Sequence, residues 1–259
     1  MLNYRNTLFL FILLILTLII GGLFFVISPW YFIGTVLVLI TLFTLGSIRI
    51  TMGFYLVSHC SGDRSRKEVA ITFDDGPNRI ITPLVLDVLK EQGIKTGFFV
   101  IGSKVMGNPE LIRRMDQESH VIGGHSFSHL FFFDLLSTRK MKEELTQTRD
   151  MIRQVTGRRT KLFRPPYGVT NPALARAVRS LGLLSIGWSL KSRDTAIDDL
   201  DLLVRRLKKK VKPGDLILFH DTQEIVPEVL SRFIQYLQEE GFEIIRPDHL
   251  LKIEAYEEE

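Results

Sequence analysis

Two adjacent carboxylates, Asp74 and Asp75, stand where the apolar run Val69-Ala70-Ile71 ends in Thr72-Phe73, and Gly76-Pro77 then turns the backbone. Like charges side by side at the end of a buried strand are costly unless a cation or a proton offsets them. Strand ends are also where α/β proteins bind ligands. Taken alone, Asp-Asp-Gly-Pro is equally an ordinary surface turn. The second pattern is Gly123-Gly124-His125-Ser126-Phe127-Ser128-His129. Histidines four residues apart lie on one face of a helical turn, the spacing of a two-imidazole metal clamp. One carboxylate added to that pair gives a facial set that leaves positions open for water and substrate. By itself the His pair reads as well as a structural feature.

Three further segments carry candidate groups. Arg164-Pro165-Pro166-Tyr167-Gly168 is a stiff loop whose arginine suits a carboxylate partner, or else a rigid connector. Trp188 to Asp194 follows a short apolar run, and Leu218-Phe219-His220-Asp221 ends another. His220 is either a core histidine or a titrating group at a strand end, and the neighbouring carboxylates favour the second.

The elements that must position these groups are legible as an alternation. Strands are expected at Val69–Phe73, Gly97–Gly102, Val121–Gly123, Lys161–Arg164, Leu183–Gly187, Asp215–Phe219 and Phe242–Ile245. Between them, helices are expected at Ile81–Gln92, Pro109–Ser119, Lys140–Val155, Pro172–Leu181, Ile197–Lys210 and Ile225–Glu240. Such alternation points to parallel βα units, and about seven of them to a barrel or barrel-like sheet.

In this order, each at a strand end, the five segments resemble the polysaccharide deacetylase family (the NodB homology domain, carbohydrate esterase family 4). The resemblance covers about Glu68 to Ile245. It implies an α/β fold, a distorted (β/α) barrel, and metal-dependent amide hydrolysis. Asp75, His125 and His129 match the family's metal ligands, for Zn²⁺ first and Co²⁺, Mn²⁺ or Ni²⁺ as substitutes. Asp74 matches the general base, Arg164 the residue that positions it, and the Tyr167 backbone N–H the oxyanion donor. His220 matches the general acid and Asp194 its orienting partner. Trp188 and Leu218 match the residues lining the acetyl-methyl pocket. Two positions depart from the family pattern: Gly124 stands where Asn is frequent, and Lys191 where Asp is frequent. Lys191 and Arg193 make the mouth cationic, which suits an anionic, phosphate-linked glycan.

Residues 1–57 read as a membrane anchor, 58–67 as a juxtamembrane linker and 68–259 as the catalytic domain. Thr7 to Ile27 is uncharged and apolar, and a second such run extends from Phe32 to Ile48. Both fit transmembrane helices, with Trp30 and Tyr31 suited to the interface between them. A cleaved leader has a shorter apolar region and a small-residue cleavage site, so a retained hairpin is expected. Arg5, Arg49, Arg64, Arg66 and Lys67 flank the hairpin while its loop is uncharged, which favours both ends and the domain on the cytoplasmic side of a plasma or inner membrane.

The formal net charge is +4. Residues 1–57 hold two of the 33 basic residues and none of the 29 acidic ones, so the rest is near neutral and no nucleic-acid partner is expected. The basic run between Arg205 and Lys212 reads as a solvated helix face. Cys60 is alone, so no intrachain disulfide forms. The expected substrate is an N-acetylated amino-sugar polysaccharide. Two alternatives remain: a cytoplasmic-face deacetylase or deformylase of a lipid-linked amino sugar, and a non-catalytic membrane module that binds glycan.

Overall fold

The computed structural model describes residues 3–258. Met1, Leu2 and Glu259, the outermost residues of the expected anchor and catalytic domain, lie outside the described residues. Helices α1 (Tyr4–Gly22) and α2 (Pro29–Ile48) form the N-terminal hairpin. Their 19 and 20 residues correspond to about 28 and 30 Å, and only Thr7 and Gly46 among them are buried. Both are long and apolar enough to cross a membrane. The boundaries differ from those expected. Residues 23–28 form the turn instead of extending the first helix, and Pro29, suited to a first helical turn, starts the second.

Strands β1 (Ser58–His59) and β2 (Glu68–Asp74) then lead to α3 (Ile81–Glu91). Next come β3 (Gly97–Val100), the single turn α4 (Gly102–Val105), α5 (Pro109–Gln117) and β4 (Val121–Gly124). The long α6 (Thr138–Thr156) precedes β5 (Leu162–Phe163), α7 (Pro172–Ser180), β6 (Leu184–Ile186) and β7 (Leu190–Lys191). The remaining elements are α8 (Leu200–Lys210), β8 (Leu216–His220), α9 (Val226–Glu239), β9 (Glu243–Ile244) and α10 (Pro247–Leu251).

The strands pair in parallel in the order β1-β6-β5-β4-β3-β2-β8-β7, with β9 beside the start of β2. Among the described residues nine strands form where about seven were expected. The two additional ones, β1 and β7, are two residues long and have no apolar run to announce them. The expected linker at 58–67 thus contains an edge strand, Ser58-His59, paired with Ser185-Ile186.

The sheet curls into an incomplete barrel. Three strand spacings separate β5 from β2, about 14 Å in a flat sheet. Yet Arg164, just past β5, donates to Thr72 and Asp74 of β2 at 2.9 and 2.8 Å.

Strand alternation sorts the side chains. Val69, Ile71 and Phe73 of β2, with Ile217 and Phe219 of β8, pack outward against Leu86, Leu207 and Phe233 of the covering helices. Ala70, Phe99, Val121, Leu162, Ile186 and Leu216 face inward as a second core. Five of these six inward series, all but that of Phe99, continue by two-residue steps to a polar or aromatic group at the strand end: Asp74, His125, Arg164, Trp188 and His220.

Candidate active site

Asp74 continues the inward series of β2 and is 3% exposed. Alternation would send Asp75 to the opposite face. Its left-handed backbone (φ 72°) turns the chain so that its carboxylate reaches the same mouth. Gly76 follows because the Asp221 carboxylate fills the space that a Cβ there would need.

His125 and His129 do not sit on a helical turn, as their spacing suggested. They flank a loop in which Ser126 and His129 both have positive φ (59° and 48°). Three groups hold that loop. The Glu144 carboxylate, from α6, accepts from the Phe127 and Ser128 N–H groups (3.0 and 2.8 Å) and from the Ser128 hydroxyl. The first N–H groups of α4 donate to the Ser126 and Phe127 carbonyls. The Ser126 hydroxyl accepts from the His129 N–H.

The result brings three ligating atoms together. Asp75 Oδ1 lies 3.5 Å from His125 Nε2 and 3.2 Å from His129 Nε2. Asp75 Oδ1 is buried and has no hydrogen-bond partner, an orphan that a cation would satisfy. His125 Nδ1 is 2.8 Å from the Arg164 carbonyl, so it carries the hydrogen and leaves Nε2 as a lone pair. Burial pushes the His125 pKa down to about 3, which keeps the imidazole neutral. The lone pair of His125 Nε2, the His129 Nε2 and one carboxylate oxygen therefore fit a divalent metal.

Beside this set, Asp74 Oδ1 accepts from Arg164 at 2.8 Å, and Asp74 Oδ2 stands 3.9 Å from His125 Nε2. Burial raises the Asp74 pKa, and the Arg164 guanidinium opposes that rise. Arg164 is wholly buried and stacks on the Phe99 ring at 4.0 Å.

Tyr167, at φ 57° in the Pro-Pro loop, brings its hydroxyl to 3.5 Å from His129 Nδ1. Opposite, His220 Nδ1 donates to Asp194 Oδ1 at 2.8 Å, and the His220 N–H donates to Asp194 Oδ2 at 2.7 Å. Burial disfavours the His220 cation, but the Asp194 hydrogen bond and the charges of Asp194, Asp74 and Asp75 outweigh it, and the pKa rises.

Trp188 packs against Gly168 and Arg164. Leu218 is buried on β8, two residues before His220 on the same face. Lys191 extends over the Trp188 ring at 5.8 Å, whereas Arg193 is exposed and faces Arg206 of α8.

All ten expected site residues thus belong to one concave end of the sheet. Four supporting residues escaped the sequence reading. Thr72 accepts from Arg164, and Glu144 clamps the histidine loop. Ser192 donates to Asp194, and Lys104 donates to the Asp75 carbonyl. Thr72 alone had a signal, as the inward residue two before Asp74.

The polysaccharide deacetylase family model matches residues 61–186. A chitooligosaccharide deacetylase of Bradyrhizobium is 35% identical over 199 residues, covering 71% of this chain and 89% of the relative. The peptidoglycan-N-acetylglucosamine deacetylase of Listeria monocytogenes is 32% identical over 187 residues, 72% of this chain. The match spans only 39% of that longer relative. The crystallised Bc1960 peptidoglycan N-acetylglucosamine deacetylase superposes with a TM-score of 0.73 at 26% identity, over 76% of this chain and 94% of that one. Identity at this coverage, on a shared curled parallel sheet, shows that the chain belongs to the polysaccharide deacetylase family.

Proposed function

We propose that this chain is a membrane-anchored, metal-dependent deacetylase that hydrolyses the N-acetyl amide of an amino-sugar glycan. One observation carries the reading: Asp75, His125 and His129 converge between a buried Asp74–Arg164 pair and a His220–Asp194 pair. When bound there, a divalent ion, Zn²⁺ first, supplies a Lewis acid for the carbonyl and an acidified water.

The chain's own groups do the rest. Asp74, fixed by Arg164, takes the proton of the attacking water. The Tyr167 N–H donates to the developing oxyanion, an interaction typically worth about 10²–10³ in rate. His220, held by Asp194 with Nε2 toward the mouth, protonates the leaving amine. Trp188 and Leu218 enclose the acetyl methyl. The exposed α1 and α2 are read as bilayer spans, since apolar surface of this extent is not left in water.

The test is acetate release from N-acetylglucosamine oligomers by the full chain in detergent. A chelator should abolish it and Zn²⁺ restore it. Undiminished activity in Asp74→Asn and His220→Ala would refute the assignment.

A second reading, hydrolysis of a lipid-linked amino sugar at the cytoplasmic face, draws on Lys191 beside Trp188 and on the flanking charge of the hairpin. A periplasm-active and a cytoplasm-active reporter, each fused after Glu259, separate the two by which one functions.

A further inference from the structure

The hairpin does not hang from a tether. At the end of α2, the Ser47 hydroxyl donates to the Thr170 carbonyl at 2.7 Å, and the Thr170 N–H donates to the Ser47 carbonyl at 3.0 Å. Tyr4 N–H donates to the Phe54 carbonyl, and the rings of Tyr4, Phe43, Phe54 and Tyr55 pack edge to face or tilted at the joint. Thr170 is three residues beyond Tyr167, a reach of at most about 11 Å. The wall of the metal site therefore stands close to the domain-side end of α2.

The next link continues from there. Asn171 donates to the Asp134 carbonyl, tying this segment to the loop that follows His129. That loop exposes Leu130, Phe131, Phe132 and Leu135, the two phenylalanines at 73% and 63%. Phe131 lies 6.2 Å from the Tyr167 ring, so the apolar patch borders the mouth itself. An exposed cluster of this kind needs a partner.

Charge surrounds it. Arg139 and Lys140 sit in the first turn of α6, where the helix dipole disfavours cations, and Glu143 is their only carboxylate contact among the described residues. Arg176 reaches the Thr138 hydroxyl and Arg179 the Tyr55 carbonyl, while Arg5 and Arg49 flank the hairpin at the same end.

We infer that the Leu130–Leu135 loop and this basic rim dock onto the anionic leaflet from which α1 and α2 emerge, so that the site opens at the bilayer surface. The inference rests on the reading of α1 and α2 as spans. Aromatic and aliphatic side chains enter the interfacial zone while arginine and lysine meet lipid phosphates. A glycan carried on a lipid is then at the height of the metal ligands, whereas a glycan far from the membrane must be brought down to it.

The test uses the full chain with Cys60→Ser and a single cysteine from Phe132→Cys, Leu202→Cys or Leu13→Cys. Each is nitroxide-labelled and reconstituted in vesicles of equal parts phosphatidylcholine and phosphatidylglycerol. Relaxation by oxygen, which partitions into lipid, is compared with relaxation by a water-soluble nickel chelate. The oxygen-to-nickel ratio at position 132 is expected to exceed that at 202, on exposed α8, several-fold and to approach that at 13. A ratio at 132 equal to that at 202, with 13 still lipid-exposed, overturns the docking and leaves the anchor standing. A water-exposed label at 13 overturns both. Omitting phosphatidylglycerol should lower the ratio at 132 but not at 13, and an unchanged ratio at 132 removes the role of the basic rim.

Discussion

Arg164 joins the two halves of the site. Four of its five N–H donors are engaged: with Ile186 and Gly187 carbonyls on one side, and Thr72 and Asp74 on the other. Arg164→Lys replaces that planar fork with a point charge. At least one of these four buried acceptors then loses its partner, at a cost of about 1–3 kcal/mol. Thermal melting should show that loss of stability, together with a fall in kcat larger than any change in KM, because Asp74 is no longer aimed. The His220–Asp194 pair has its own signature. If His220 works as the protonated acid, activity is lost as pH rises through its pKa, and the raised pKa extends activity upward. Asp194→Asn removes the largest contributions holding that value up, so the alkaline limb of kcat should move to lower pH and kcat should fall by about 10² or more. An alkaline limb that stays in place would assign the acid to another group.

At the scale of elements, α6 does more than cover the sheet. Glu144 projects from it to accept two backbone N–H groups and a hydroxyl from the histidine loop. Glu144→Ala should leave the fold intact, free that loop, and weaken metal retention by about 10–100-fold, measured by competition with a chromophoric chelator. The elements themselves were largely legible. Five of the seven expected strands lead into a turn or loop that carries a site residue, and they were found because apolar runs and glycine stops record burial and termination locally. The inward positions of Asp74, His125, Arg164, Trp188 and His220 follow from two-residue steps along those runs. The histidine loop was not legible as such. Spacing alone cannot distinguish a helical turn from a loop with two left-handed residues, and the clamp that enforces the loop lies fifteen residues after Ser128's neighbour His129. Strands β1 and β7 were hidden for a related reason: two residues paired at a sheet edge leave no periodicity to read.

At the scale of the whole molecule, with α1 and α2 read as membrane spans as proposed above, the joint between hairpin and domain decides whether the site has a fixed height above the membrane. Gly46 is central to it. A side chain there would collide with the Phe54 ring, which packs on Phe43 and Tyr55 beneath the Tyr4 N–H bond. Gly46 is one residue before Ser47, whose backbone and hydroxyl hold Thr170. Gly46→Leu should therefore expel Phe54, break the Ser47–Thr170 pair, and leave the barrel folded on a loose tether. Hydrogen exchange should quicken at 49–57 and 165–171 while the amides of β2, β3 and β8 keep their protection, because those strands draw their stability from a core the anchor does not touch. Turnover of a soluble N-acetylglucosamine oligomer should change little beside turnover of the same sugar displayed on a lipid in the vesicle, since only the second depends on where the mouth is held. Equal losses on both substrates would mean that the joint shapes the catalytic loop itself, and equal retention of both that its geometry is without consequence for access.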